Sequence, residues 1–482
     1  MILAALLLAT AGPVVVTDDG PVRGDSAGAG AVFRGIPYAA PPVGPSRWRA
    51  PRRPARWTAP RDTTGPHAAC PQIAAGWNDT AAAASDENCL FLDVRTPRLT
   101  AGAKLPVMVW IHGGSNRAGS GSGTVDSRIT DDGIVLVSIQ YRLGALGFLS
   151  HPTLSAEQGG RSGNYGLMDQ QAALGWVRRN IAAFGGDPAR VTIAGESAGA
   201  QDVGLHLLSP GSRGLFARAI AESGTAGFGL PPRSLAQNEA LGTLIGRQAG
   251  LTAQTPAALR ALSVAQVLKA DTDVNVPNLD DDSFIWLQAV VDGRVLTEAP
   301  ASALAHGQFA RVPLLIGVNA RELTLHGGRP AAAATVRREF GANATAALAL
   351  YGLQPGGTPV DDPRLGDVTR QLATDLTFRC PAIAVANAFA ARGVPVWHYQ
   401  FDYGADVSHA SELRYVFGET KPGEPPMRRY WSNFVRGGTP NGASLPVWPA
   451  YARGRAYMAF DQTGPVAKQN LRGAICALRA VP

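Results

Sequence analysis

Lysine is nearly absent from this chain. Of 44 basic side chains in 482 residues only Lys104, Lys269, Lys421 and Lys468 are lysines, the rest being arginines. None of them follows a serine by three positions, which excludes a Ser-x-x-Lys nucleophile pair. Cysteine is scarce too: there are four, with no Cys-x-x-Cys or His/Cys spacing that would ligate zinc. After the first few residues no uninterrupted apolar stretch reaches the ~18 residues of a membrane span, so no stable membrane anchor is expected. Charged residues make up only 17% against 45% hydrophobic, which excludes disorder as a description of the whole chain.

The net charge is +7, and the densest basic run is Arg47, Arg49, Arg52, Arg53, Arg56 and Arg61, interleaved with Pro and Trp. No helix-turn-helix, zinc-finger or ribonucleoprotein pattern accompanies it. We therefore expect solvated loop charge and no nucleic-acid partner. Glycine (56) and proline (36) are in excess without a collagen-like period, which points to many turns.

Residues Ile2–Ala9 form a short apolar run followed by Ala9-Thr10-Ala11, the pattern of a secretory signal cut after Ala11, though no Lys or Arg precedes the run. The expectation is a secreted protein, extracellular or periplasmic, with residues 12–482 as one domain and a monomer or weak oligomer. An even, small number of cysteines in an exported chain fits two disulfides, of which Cys70, Cys89, Cys380 and Cys476 allow three pairings.

Short, nearly continuous β-branched runs occur at Leu105–Ile111, Ile134–Gln140, Val191–Ala194, Val312–Val318 and Val394–Phe401. Such runs suit strands buried on both faces. Helical patterns lie between them, the clearest at Asp169–Phe184, which stops at Gly185-Gly186-Asp187-Pro188. This alternation predicts an α/β protein with a mostly parallel sheet. Val14–Gly24 and Ala31–Ala39 read as short N-terminal hairpins. Pro231–Asp282 and Arg329–Arg379 read as helical insertions above the sheet.

The sharpest motif is Gly195-Glu196-Ser197-Ala198-Gly199, placed after the strand Val191–Ala194 and before a helical segment. A serine on so tight a turn needs small residues two positions to either side, and the following helix N-terminus favours developing negative charge. Its hydroxyl needs a histidine base, and that histidine a carboxylate, in the order Ser, acid, His. Of eight histidines five follow Ser197: His206, within the helical segment directly after it, and His306, His326, His398 and His409. His306 and His326 flank the strand of the acid candidate, and His398 lies inside a strand. His409 sits in the loop after that strand, where a base reaches the top of the sheet. Glu322 follows the strand Val312–Val318 at its C-terminal end; Asp292 and Asp375 rival it on chain order. Glu196, beside the nucleophile, reads as a supporting residue.

The tetrahedral intermediate needs N–H donors, and His112-Gly113-Gly114-Ser115 follows a core strand where an oxyanion loop belongs. Gly114 and Ser115 would supply two donors and Ala198 a third. The Gly119–Gly123 run has no preceding strand or following Lys to make a phosphate cradle, and is expected as a flexible loop.

With these pieces the chain resembles the type-B carboxylesterase and cholinesterase family of α/β-hydrolases, from about Val14 to Cys476. The resemblance is carried by FRGIPYA, ENCLFL, WIHGGS, GNYGLMDQ, NIAAFGGDP, GESAGA, LLSPGSRGLFARAI, GVNARE and HASELRYVFG. It implies the α/β-hydrolase fold and ester cleavage through an acyl-enzyme, with Ser197, Glu322 and His409 as nucleophile, acid and base. It also implies disulfides Cys70–Cys89 and Cys380–Cys476, a supporting role for Ser223, a small-molecule ester as substrate, and no metal or organic cofactor. In two places the chain departs from the pattern. Ser115 replaces the third glycine of the usual loop, and Asn116 a common aromatic, changes expected to alter acyl-group fit or oxyanion stabilisation. Leu230 stands where cholinesterases carry a pocket aromatic, so a cholinesterase is not expected. Trp77, Phe228, Leu230, Phe284 and Trp286 are candidates for the substrate pocket. A thioesterase, amidase or lactonase would use the same constellation, and a non-catalytic binding member of the fold is the rival from another class.

Overall fold

The computed structural model describes residues 12–230, 233–274 and 289–479. Its centre is an eleven-stranded sheet in the order Gly464–Gln469, Ala456–Asp461, Val396–Phe401, Leu314–Asn319, Arg218–Glu222, Gly186–Glu196, Leu105–Ile111, Val135–Ile139, Phe91–Thr96, Gly30–Pro37 and Asp25–Ala27. The strands from Ala456–Asp461 through Val135–Ile139 pair in parallel, and antiparallel strands flank them on both sides.

The predicted apolar runs are these central strands. Alternate residues point to opposite faces of a strand. Val107, Val109 and Ile111 join one buried cluster with Ile193, Leu314 and Val318, while Met108 and Trp110 join another with Leu136, Leu315 and Phe401. Both faces are covered, so both sets of side chains are apolar and the run reads as continuous. At about 25 cal/mol per Å² of apolar area, this two-sided burial is the main force holding the sheet.

The long helix starts earlier than its pattern predicts, running over Tyr165–Asn180 and continuing as a 3₁₀ turn over Ile181–Phe184. Its entry turn is made by Gly163 and Asn164 in the left-handed region (φ 94° and 57°), and Gly185 (φ 85°) ends it. Val14–Val16 and Pro21–Arg23 form the first hairpin. Ala31–Ala39 is not a hairpin: Gly30–Pro37 is a single strand that pairs with Asp25–Ala27 and, across a bulge between Phe33 and Ile36, with Phe91–Thr96. Gly35 at φ 73° supplies the kink that the sequence presents as a turn.

Two loop expectations change. Arg47 is buried, donating to both carboxylate oxygens of Glu87 and to the Leu262 carbonyl, because the 256–273 helices pack over it. Its neighbours are tied down as well: Arg49 pairs with Glu157, and Arg53 with Asp18 and Asp19. The Gly119–Gly123 run is not a free loop either, since Gly119 exchanges two hydrogen bonds with the Gln72 side chain (2.7 and 2.8 Å). A Cβ at Gly119 would lie 2.5 Å from the Gly113 oxygen, so glycine is there for close approach.

Helices Leu235–Gln248, Pro256–Ala261 and Val264–Asp273 occupy the first insertion, and Gly328–Phe340, Ala344–Leu350 and Val368–Thr374 the second. Cys70 is bonded to Cys89 and Cys380 to Cys476. Among the described residues no helix is long and apolar enough to cross a membrane. The expected signal at residues 1–11 lies outside the described residues.

Candidate active site

The strand Gly186–Glu196 runs directly into Ser197, which holds φ 57° and ψ −124° before helix Ala198–Leu208 begins. A serine in this region is strained, and its surroundings hold it there. The Ser197 N–H donates to the Glu222 carbonyl on the adjacent strand at 2.9 Å. A Cβ at Gly195 would lie 2.5 Å from the backbone of Gly199, and one at Gly199 would collide with the Ile111 carbonyl. The glycines are therefore required by the neighbouring strand as well as by the turn itself.

His409 lies in the loop after Val396–Phe401, with Nε2 2.8 Å from Ser197 Oγ and Nδ1 2.6 Å from Glu322 Oε2. Glu322 is buried, and its other oxygen accepts from Ser223 Oγ and from the Asn319 N–H, both at 2.7 Å. The Glu322 N–H donates to Thr374 Oγ1 at the end of the second insertion. Phe378 lies against the His409 ring at 5.2 Å between centroids.

The two rivals for the acid are engaged elsewhere. Asp292 accepts from the N–H groups of Arg294, Val295 and Leu296, and Asp375 is paired with Arg379 and Arg472. His398 is fully buried in its strand, and His306 pairs with Glu298.

A cluster of buried carboxylates surrounds the imidazole. Glu196 Oε1 lies 3.3 Å from His409 Nε2. Burial pushes Glu196 up to about 8. Burial alone would depress His409, but the charge of Glu196 and the hydrogen bond that its own Nδ1–H donates to Glu322 override it and raise the imidazole to about 9. Glu412, three residues beyond His409, receives Asn319 Nδ2 at 2.6 Å and is pushed up to about 7, first by burial and then by Glu322. Neither Asn319 nor Glu412 is singled out by the sequence. Each lies inside a segment that carries the family resemblance, GVNARE and HASELRYVFG, three residues before Glu322 and three after His409.

The loop Gly113–Asn116 packs against the nucleophile: a Cβ at Gly113 would lie 3.1 Å from Ser197 Cβ. Gly114, Ser115 and Asn116 are all left-handed (φ 106°, 58° and 54°), and the Gly114 carbonyl accepts from Arg117 and Ala118. This conformation sets the loop backbone beside the N-terminus of helix Ala198–Leu208. Asn116 does not take the place of a pocket aromatic, because its side chain is buried and bonded to Asp202 and Tyr141. Trp77 is 67% exposed, with its ring edge 3.0 Å from where a Cβ on Gly114 would sit, so it lies over the loop rather than in the core. Phe228 is buried, 5.5 Å from Phe378 and thus one ring removed from His409, and Leu230 is half-buried beyond it. Phe284 and Trp286 lie outside the described residues. Among the described residues no group of three or more His, Cys, Asp or Glu could hold a metal.

A hydroxyl, an imidazole and a carboxylate in hydrogen-bonded series can carry out acyl transfer. At the C-terminal edge of a mostly parallel sheet, they place the chain among the serine hydrolases of the α/β-hydrolase fold. The sequence profile of the Carboxylesterase family matches residues 11–478. The chain is 34% identical to the para-nitrobenzyl esterase of Bacillus subtilis (strain 168), with 91% of this chain and 92% of that one covered. It is 33% identical to carboxylesterase 1D of Rattus norvegicus, with 91% and 86% covered. The solved structure of Geobacillus stearothermophilus carboxylesterase EST55 superposes with a TM-score of 0.83 at 32% identity, covering 97% of this chain and all of that one. The chain belongs to the carboxylesterase family and is a carboxylic ester hydrolase acting on small-molecule esters.

Proposed function

We propose that Ser197 Oγ attacks the ester carbonyl while His409 Nε2 takes its proton and returns it to the departing alcohol. Glu322, held by Ser223 and Asn319, keeps the imidazole in the tautomer with the proton on Nδ1, leaving Nε2 free to act as base. The N–H groups of Gly114, Ser115 and Ala198 receive the oxyanion, helped by the positive end of helix Ala198–Leu208. Water, deprotonated by the same histidine, then attacks the acyl carbonyl, and His409 returns that proton to Ser197 Oγ as the Oγ–acyl bond breaks and the acid leaves. The observation that carries this reading is the bridge of His409 between Ser197 and Glu322, at 2.8 and 2.6 Å.

The apolar run at residues 2–9 and the two disulfides support export to an oxidising compartment. The continuity of the sheet from Asp25 to Gln469 supports treating residues 12–482 as one catalytic domain.

Hydrolysis of p-nitrophenyl esters from acetate to decanoate, beside a Ser197→Ala variant, tests the mechanism. Wild type should turn over, and the variant should lose a factor on the order of 10⁴ or more in kcat. A variant within tenfold of wild type would remove Ser197 from the mechanism. The chain-length profile sizes the acyl pocket.

A further inference from the structure

The three donors assigned to the oxyanion come from two separate pieces of chain. Gly114 and Ser115 belong to a loop, and Ala198 begins a helix. An oxyanion hole works only if both pieces converge on one oxygen, with displacements held to about 0.5 Å. The loop has no regular backbone ladder to hold it, and three successive residues, two of them not glycine, lie in the left-handed region.

A buried side-chain bridge joins the two pieces. Asn116 Nδ2 donates to Asp202 Oδ1 at 3.0 Å, and Asp202 stands in the first turn and a half of helix Ala198–Leu208. The Asn116 carbonyl accepts from the Gly144 N–H at 2.6 Å. Its side-chain oxygen faces the Tyr141 hydroxyl at 3.0 Å, and that hydroxyl also donates to the His112 carbonyl at 2.7 Å.

Behind this contact the bridge is anchored to a second helix. Gln170 Nε2 donates to Asp202 Oδ2 at 2.6 Å, its oxygen lies 2.7 Å from His206 Nε2, and His206 Nδ1 lies 2.8 Å from Ser212 Oγ. Asp202 and Gln170 are fully buried, and Asn116 is 2% exposed. Each carboxylate oxygen of Asp202 thus has its own amide donor. A buried network satisfied in this way holds one geometry, since every alternative strands a polar group.

We propose that Asp202, through Asn116, is a positioning residue that fixes the oxyanion loop relative to the Ala198 helix. Asp202 touches no reacting atom. Its effect is to keep the loop donors in register with the helix donor, and Asn116 holds a position where the family commonly has an aromatic because here it completes this bridge. The proposal rests on the acyl-transfer mechanism above.

The test compares wild type, Ser197→Ala, Asn116→Ala, Asp202→Ala, Asn116→Ala/Asp202→Ala and Asp202→Asn. It uses p-nitrophenyl butyrate for kcat and KM, and a trifluoromethyl ketone, which forms an oxyanion on the serine, for binding. Asp202→Ala and Asn116→Ala should each lower kcat by about 10–100-fold, below the 10²–10³ of losing a donor outright. KM should stay within about threefold, and ketone affinity should fall in parallel with kcat, the signature of an interaction made in the transition state. The double variant should be no worse than the poorer single one, because both cut the same bridge. Asp202→Asn, which still offers Asn116 an acceptor, should recover most of the loss. If Asp202→Ala does not fold, Asn116→Ala reads the loss and Asp202→Asn the retained activity. Folded Asn116→Ala or Asp202→Ala with kcat within twofold of wild type, or losses that multiply in the double variant, would overturn the proposal while the mechanism stands. Wild-type activity that survives Ser197→Ala would instead bring down the mechanism and this proposal with it.

Discussion

His409 meets a carboxylate at each of its ring nitrogens, and the two sides are built differently. On the Nδ1 side Glu322 lies at 2.6 Å and is held by the Ser223 hydroxyl and the Asn319 N–H. On the Nε2 side Glu196 Oε1 approaches to 3.3 Å and, among the described residues, makes no hydrogen bond of its own. Both carboxylates are buried, so burial does not distinguish them. The supply of donors does. Glu322 is fixed in one orientation on the side remote from the nucleophile, whereas Glu196 shares Nε2 with Ser197 and acts on the imidazole by its field.

The largest effect should come from breaking the ordered side. Glu322→Gln places an amide donor opposite Nδ1, forces the proton to Nε2 and leaves nothing to accept from Ser197. We expect kcat to fall by about 10³–10⁴, read by steady-state hydrolysis with the fold checked by circular dichroism. A loss below tenfold would return the acid role to another group.

On the other side, Glu196→Gln should leave kcat within about tenfold. Removing the Glu196 charge removes the first influence raising His409, so the imidazole titrates lower. The base acts when deprotonated, so the acid limb of the kcat/KM profile should move to lower pH. An unmoved or upward-shifted limb would contradict the field argument.

The smallest effect concerns stability. Burial, and then the neighbouring Glu412, pushes Glu222 well above its ordinary range, so the folded chain keeps a proton that the unfolded chain releases. Stability from such a group is present at low pH and is lost as pH rises. Glu222→Gln cannot ionise, so its Tm relative to wild type should rise steadily between pH 5 and pH 9 in calorimetry. A constant difference across that range would show that Glu222 titrates normally.

The chain itself carries much of this. Ser197 is legible because a strand, a tight turn and a helix leave a local signature, with glycines at 195 and 199 that the packing requires. His409 is legible because it lies in a loop at a strand end, where a side chain reaches the site, while His398 three residues into its strand is buried. Glu322 is less legible, since Asp292 and Asp375 share its place in chain order and differ only in which partners the fold brings to them. Arg47 reads as loop charge because nothing in its own segment announces Glu87 or the 256–273 helices that cover it. The kink at Gly35 reads as a turn because a bulge and a turn use the same residue.

Local physics explains that division. Periodicity, turn chemistry and small residues act over a few positions, and they determined the central strands, the nucleophile turn and the loop beside it. The Asn116–Asp202 bridge spans 86 positions and the Ser223–Glu322 contact 99. Only the tertiary structure decided that these polar groups would meet, because a buried hydrogen bond exists only once the sheet and its helices have brought both partners out of water.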